Sequence, residues 1–128
     1  MTTIHTFEEI EAWKNARLLT DQIYKITKRG DFARDFGLKN QIRRAVISIM
    51  SNIAEGYDSY SLGTFKRYLD IARSSAGEVR SQLYIALDQS YVSRAEFDAL
   101  CDLSGKISAQ IGKFRGYLTM KTRYKQQQ

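Results

Sequence analysis

With 128 residues, 43% hydrophobic and 27% charged, the chain is sized for one soluble domain that needs neither disulfides nor structural metal. It has no proline, which favours long helices; its apolar runs are far too short for a membrane span, and its single cysteine excludes an internal disulfide and suits a reducing cytoplasm. The net charge of +6 is lopsided, since residues 1–105 hold 14 basic and 14 acidic side chains and the whole excess follows, from Lys106, Lys113, Arg115, Lys121, Arg123 and Lys125.

The opening MTTIHTFEEIEAW has neither a basic n-region nor an apolar h-region, so no signal peptide is expected. Thr6 and Glu9 fit a capping box that starts the first helix. Ala12, Ala16, Leu19, Ile23 and Ile26 then form a heptad stripe, with Trp13 beside it. Gly30 is placed to end that helix, and GDFARDFG is a connector with Asp31 and Asp35 as candidate caps. The second helix, from about Phe36 to Glu55, has the stripe Leu38, Ile42, Ala45, Ile49 and Ile53. Val46, Ile47 and Met50 widen its apolar surface, Gly56 closes it, and YDSYS turns the chain.

The third helix, from Ser61 to about Gln89, sets Phe65, Leu69, Ala72, Ala76, Val79, Leu83 and Ala86 at heptad spacing. Gly77, within its SSAG segment, costs about 1 kcal/mol relative to alanine, so this segment is expected at a tight helix crossing. It lacks the lysine and the strand-to-helix turn of a phosphate loop. Ser93 and Glu96 form a capping box for the fourth helix, whose stripe is Phe97, Leu100, Ser104, Ile107, Ile111, Phe114 and Leu118. Gly105, Ala109, Gly112 and Gly116 share a face away from that stripe. They are either a flat strip on which a neighbouring subunit's helix rests or small residues that a terminal helix tolerates. Four such segments with short connectors define an all-α, up-down-up-down antiparallel four-helix bundle over residues 1–120, with a disordered basic and polar tail over 121–128.

Metal sites in bundles need inward glutamates and Glu-x-x-His pairs. The only histidine is His5, so no metal, cofactor or hydrolytic triad is expected, and no catalytic residue is assigned. Cys101 fits a structural thiol better than a nucleophile. Glu55 and Glu78, with Asn52, Ser75 and Gln82 as neighbours, could form an acid/base pair. Physical chemistry favours a structural polar network of Arg44, Asn52, Glu55, Arg73 and Glu78, in which pairing keeps part-buried carboxylates charged and fixes helix register.

Three basic groups are candidates for nucleic acid: Lys25, Lys28, Arg29 and Arg34 around the first turn, Lys39, Arg43 and Arg44 on the second helix, and the C-terminal set. The first and last lie at opposite bundle ends. The C-terminal excess serves either solubility and the helix dipole or polyanion binding. Tyr57, Tyr60, Tyr117 and Tyr124 lie near the C-terminal end, where their rings either pack or stack on unpaired bases. Without a known nucleic-acid module, binding would be phosphate-driven and weakly sequence-specific.

Arg44-Ala45, Ser48-Ile49 and Ser51-Asn52-Ile53-Ala54-Glu55-Gly56 form a block that no generic heptad requires. Together with Phe7, Trp13, Ala16 and Tyr24, and with Phe65, Leu69, Ile71-Ala72, Ser75, Glu78 and Gln82-Leu83, it resembles the bacterial four helix bundle protein family. Members of that family include proteins encoded by intervening sequences within 23S ribosomal RNA genes. The family usually has proline where Met50 stands, so a straighter second helix is expected here. The resemblance implies a homo-oligomer, commonly a pentameric ring. It also implies kinship with the accessory protein of diversity-generating retroelements, a basic barrel that binds nucleic acid and a reverse transcriptase. The leading expectation is a non-enzymatic, cytoplasmic homo-oligomeric scaffold that associates with RNA or an RNA–protein complex, without membrane or small-molecule partners. The alternative is a protein-interaction module whose basic end serves only solubility.

Overall fold

The computed structural model describes residues 4–127, with side chains described through Met120. Its helices are α1 (Glu11–Ile26), α2 (Gly30–Arg34), α3 (Phe36–Tyr57), α4 (Leu62–Asp88) and α5 (Arg94–Gln127). The four long ones pack in a closed square, α1 against α3 and α5, and α4 against the same two. This is the expected antiparallel four-helix bundle. Every stripe position named above is buried except Phe114, which is half-buried. Heptad spacing therefore located the core.

Helix starts follow the local chemistry at α3, α4 and α5; α2 begins after Arg29 without a side-chain cap, and Asp31, a candidate cap, lies inside its first turn. Asp35 caps α3 by accepting from the Leu38 N–H at 3.1 Å, and Ser61 caps α4 by accepting from the Thr64 N–H at 3.1 Å. The Ser93–Glu96 box closes both ways, at 2.9 and 3.1 Å. Thr6, by contrast, caps nothing; Phe7–Glu9 form a single 3-10 turn and α1 begins only at Glu11. Ile10 lies at the break, 2% exposed and in extended backbone, so burial of an apolar side chain sets the start of α1. Glu9 does not close the box on Thr6; its carboxylate accepts instead from the His5 N–H at 2.8 Å.

Two glycine expectations need correction. Gly56 does not end its helix, which runs on to Tyr57. It is required by close approach: a Cβ there would lie 2.8 Å from the Phe65 ring and 2.8 Å from Tyr68 Cβ. Gly77 was expected at a tight crossing but faces open space, with nothing within 4 Å. The crossing of α4 and α5 lies one residue earlier, where the buried Ser104 hydroxyl donates to the Ala76 carbonyl at 2.9 Å. Gly30 takes the left-handed backbone expected of a helix terminator (φ +46°), yet it also opens α2. The buried Phe32 of α2 stacks on Tyr91 with centroids 4.9 Å apart.

Helix α3 runs unbroken across Met50. Among the described residues no helix is long and apolar enough to cross a membrane. The expected tail over 121–128 falls where side chains lie outside the described residues, although the α5 backbone continues to Gln127.

Candidate nucleic-acid interface

Thr27, just past the end of α1, organises the outer corner between α1 and α3. It is 0% exposed; its hydroxyl donates to the Ile23 carbonyl at 2.7 Å and accepts from Arg43 Nε at 2.8 Å. That bond holds the Arg43 guanidinium over the Tyr24 ring, 4.3 Å from its centroid. One turn earlier on α3, Lys39 Nζ donates to the Ala33 carbonyl at 3.0 Å and lies 4.7 Å from the centroid of Phe36. The Phe36 ring is 66% exposed. Lys28, exposed, directly follows Thr27.

The neighbouring acids are engaged elsewhere. Asp21 pairs with Lys25 at 3.0 Å and Asp31 with Arg34 at 3.1 Å. Asp35 accepts from the Tyr91 hydroxyl at 2.9 Å besides capping α3, which pushes the Tyr91 phenol above its ordinary pKa. Among the described residues no carboxylate forms an ion pair with Lys28, Lys39 or Arg43. The corner therefore presents net positive charge.

The other expected basic residues are dispersed. Lys25 is neutralised by Asp21, and Arg29 forks onto Glu96 at 2.6 and 3.0 Å. Arg115 forks onto Asp70 at 2.6 and 3.2 Å. Arg44, Lys106 and Lys113 are exposed on other faces without an ion pair among the described residues, and the side chains of Lys121 and Arg123 lie outside them.

Two of the three C-terminal-end tyrosines with described side chains are occupied. The Tyr57 hydroxyl donates to the Ile4 carbonyl at 3.0 Å, and its ring meets Phe65 edge-on. Tyr117 packs against Phe114, Tyr60 is fully exposed, and Tyr124 lies outside the described side chains. The shallow cleft beside Tyr60 carries Glu55 and Asp58, which repel a polyanion. Away from this corner Arg94 lies over Phe97, 5.6 Å from its centroid; at the corner the rings that meet cations are Tyr24 and Phe36, neither expected from sequence in this role. Their signal was the spacing of Phe36 and Lys39, three residues apart and so neighbours on one helix face.

The expected polar network is corrected as well. Asn52 Nδ2 donates to the Ser48 carbonyl at 2.8 Å and to its hydroxyl at 3.0 Å. Ser48 and Ser75 share a 2.8 Å bond across the α3–α4 seam, and Ser75 donates to the Ile71 carbonyl at 3.1 Å. Arg44, Glu55, Arg73 and Glu78 take no part; all four are exposed. Neutral groups satisfy one another and the backbone, so no charge need be buried there. The Arg73 guanidinium instead lies over Gly112, 3.3 Å from where a Cβ would stand. Within the small-residue strip, Gly112 thus serves a contact of its own chain, while Gly105 and Gly116 meet nothing within 4 Å and Ala109 is exposed. Burial raises the Cys101 thiol pKa, as befits a structural cysteine.

Fold and site together define an all-α bundle with one corner of unneutralised cations set against aromatic rings. The chain belongs to the 23S rRNA-intervening sequence protein family, whose pattern it matches over residues 8–113. A solved structure from Bacteroides thetaiotaomicron, of a protein with unknown function from the S23 ribosomal protein family, shares the fold with a TM-score of 0.74. The match has 22% identity and covers 81% of this chain and 97% of that one, a likeness that speaks for the fold alone. No curated protein matches the chain.

Proposed function

We propose that this chain is a non-enzymatic, self-associating cytoplasmic bundle that binds nucleic acid, RNA first, through the α1–α3 corner. The observation that carries the reading is the gathering of Lys28, Lys39 and Arg43, free of acidic partners among the described residues, beside Tyr24 and Phe36. The family's tie to a ribosomal RNA intervening sequence favours RNA over other polyanions.

Self-association adds avidity, because a ring repeats the corner on every subunit. A pentamer is what the family resemblance implies. Support for self-association in this chain is a second line of residues on α4, Ile71, Ser75, Glu78, Gln82 and Ile85, again at heptad spacing. Ile71 and Ile85 are 45% and 47% exposed, and Gln82 Oε1 is buried without a partner. A helix from another copy would cover the isoleucines.

Titrating a labelled structured RNA at two salt concentrations tests the reading. Three neutralised phosphates per subunit give a log–log salt slope of about −2 to −3, steeper in a ring. Absence of binding at low salt would leave the protein-interaction module as the better account.

A further inference from the structure

We propose that the α1–α3 corner is a stacking platform for unpaired bases, so that its ligand is a single-stranded polynucleotide rather than a duplex. This rests on the nucleic-acid reading above and sharpens it. A patch that only attracts phosphates needs flexible charges in water. Two of the three cations here are instead held in place: Arg43 by Thr27 and the Tyr24 ring, Lys39 by the Ala33 carbonyl and the Phe36 ring. Held this way, Arg43 is a flat guanidinium backed by an aromatic ring, and its two terminal Nη groups have no hydrogen-bond partner among the described residues.

Phe36 supplies the second surface. A phenylalanine 66% exposed at a helix start leaves much of its ring in water, where it can gain by stacking. Phe36 and Arg43 are seven residues apart, so they fall within about 20° of each other around α3 and about 10.5 Å apart along it. Two stacking stations in line, with Lys28 and Lys39 alongside to take phosphates, suit a strand whose bases are free to turn outward. A duplex keeps its bases stacked on each other and offers this corner only phosphates.

The test uses the full chain and fluorescence anisotropy at one salt concentration. The probes are an RNA strand of about ten nucleotides, its DNA counterpart, the blunt RNA duplex and an abasic strand of equal charge. The base-bearing strand, RNA or DNA, is expected to bind about tenfold tighter than either the duplex or the abasic strand. Arg43→Lys keeps the charge but loses the plane, and Phe36→Leu keeps an apolar side chain without the ring. Each variant should lose about fivefold or more on the base-bearing strand and nothing on the abasic one; Phe36→Leu should leave the melting temperature unchanged, while Arg43→Lys, which also breaks the bond to Thr27, is assayed well below its own melt with helical circular dichroism matching the parent's. Equal affinity of the parent protein for base-bearing and abasic strands overturns the proposal while leaving phosphate-driven binding intact. Failure of every probe to bind at low salt overturns both.

Discussion

Arg29 grips Glu96 through two hydrogen bonds, 2.6 and 3.0 Å long, and so ties the chain just after α1 to the first turn of α5. The Arg29 bonds first, and the Ser93 N–H second, lower the Glu96 carboxyl from an ordinary pKa of 4.5 to about 2. A carboxyl with a lowered folded-state pKa stabilises the fold fully above its unfolded value and loses that contribution as pH falls through the folded one. Glu96→Gln should therefore weaken the fold at pH 7 by about 1 kcal/mol, a figure discounted because both partners are partly exposed to solvent. The gap between parent and variant should close between pH 4.5 and about 2, which urea denaturation at pH 7, 4 and 2 would reveal.

Gly56 and Gly77 should respond in opposite directions to the same change. In an open helix interior, Gly→Ala gains about 1 kcal/mol of propensity, and Gly77→Ala should collect most of it. At Gly56 the new methyl would stand 2.8 Å from Tyr68 Cβ, an atom fixed close to the α4 backbone. Overpacking of that kind costs about 1–3 kcal/mol, so Gly56→Ala should lower stability despite the better propensity. Thermal melts of the two variants beside the parent would show one shift up and one down.

Thr27→Val keeps the shape of a 0% exposed side chain and removes its hydroxyl. Arg43 Nε then loses its acceptor and the guanidinium is freed from the Tyr24 ring. A loss of about 1–2 kcal/mol in stability is expected from the broken bond. RNA affinity should fall several-fold although no charge has been removed, and anisotropy against the parent would measure it.

Periodicity made the core legible: an apolar residue at every third or fourth position has one solution in a bundle, and Leu19, Ile49, Val79 and Ile107 took it. Capping was legible where the cap's own side chain decides the outcome, as at Ser93 and Glu96. It misled at Thr6, because the burial of Ile10 outweighed a cap worth about 1 kcal/mol. The site was harder to read. Charge is visible in sequence, but pairing between helices is not: Arg29 with Glu96 spans 67 positions and Arg115 with Asp70 spans 45. Each such pair removed a candidate cation, and Thr27, invisible as a site residue, kept Arg43 in place.

Helix α4 carries two heptad lines; the first is spent on the core, and the second only where Ser75 and Gln82 turn inward. The second, Ile71, Ser75, Glu78, Gln82 and Ile85, begins and ends on isoleucines left 45% and 47% exposed. Ser75 is already satisfied by Ser48 and the Ile71 carbonyl, and Glu78 faces water, so the face combines apolar ends with a polar middle. Such a pattern suits a helix–helix contact whose register is set by its polar residues. Replacing Ile71 and Ile85 together by lysine puts two like charges where a second copy would rest, without touching the core. Burying the exposed half of the two isoleucines stabilises association by about 1.5–3 kcal/mol per contact, and the introduced charges oppose it further, so the double variant should lower the apparent mass several-fold in light scattering. Its helical circular dichroism should be unchanged. If the mass also stays unchanged, copies do not meet along this line, and the uncovered strip of Gly105, Ala109 and Gly116 becomes the surface to alter next.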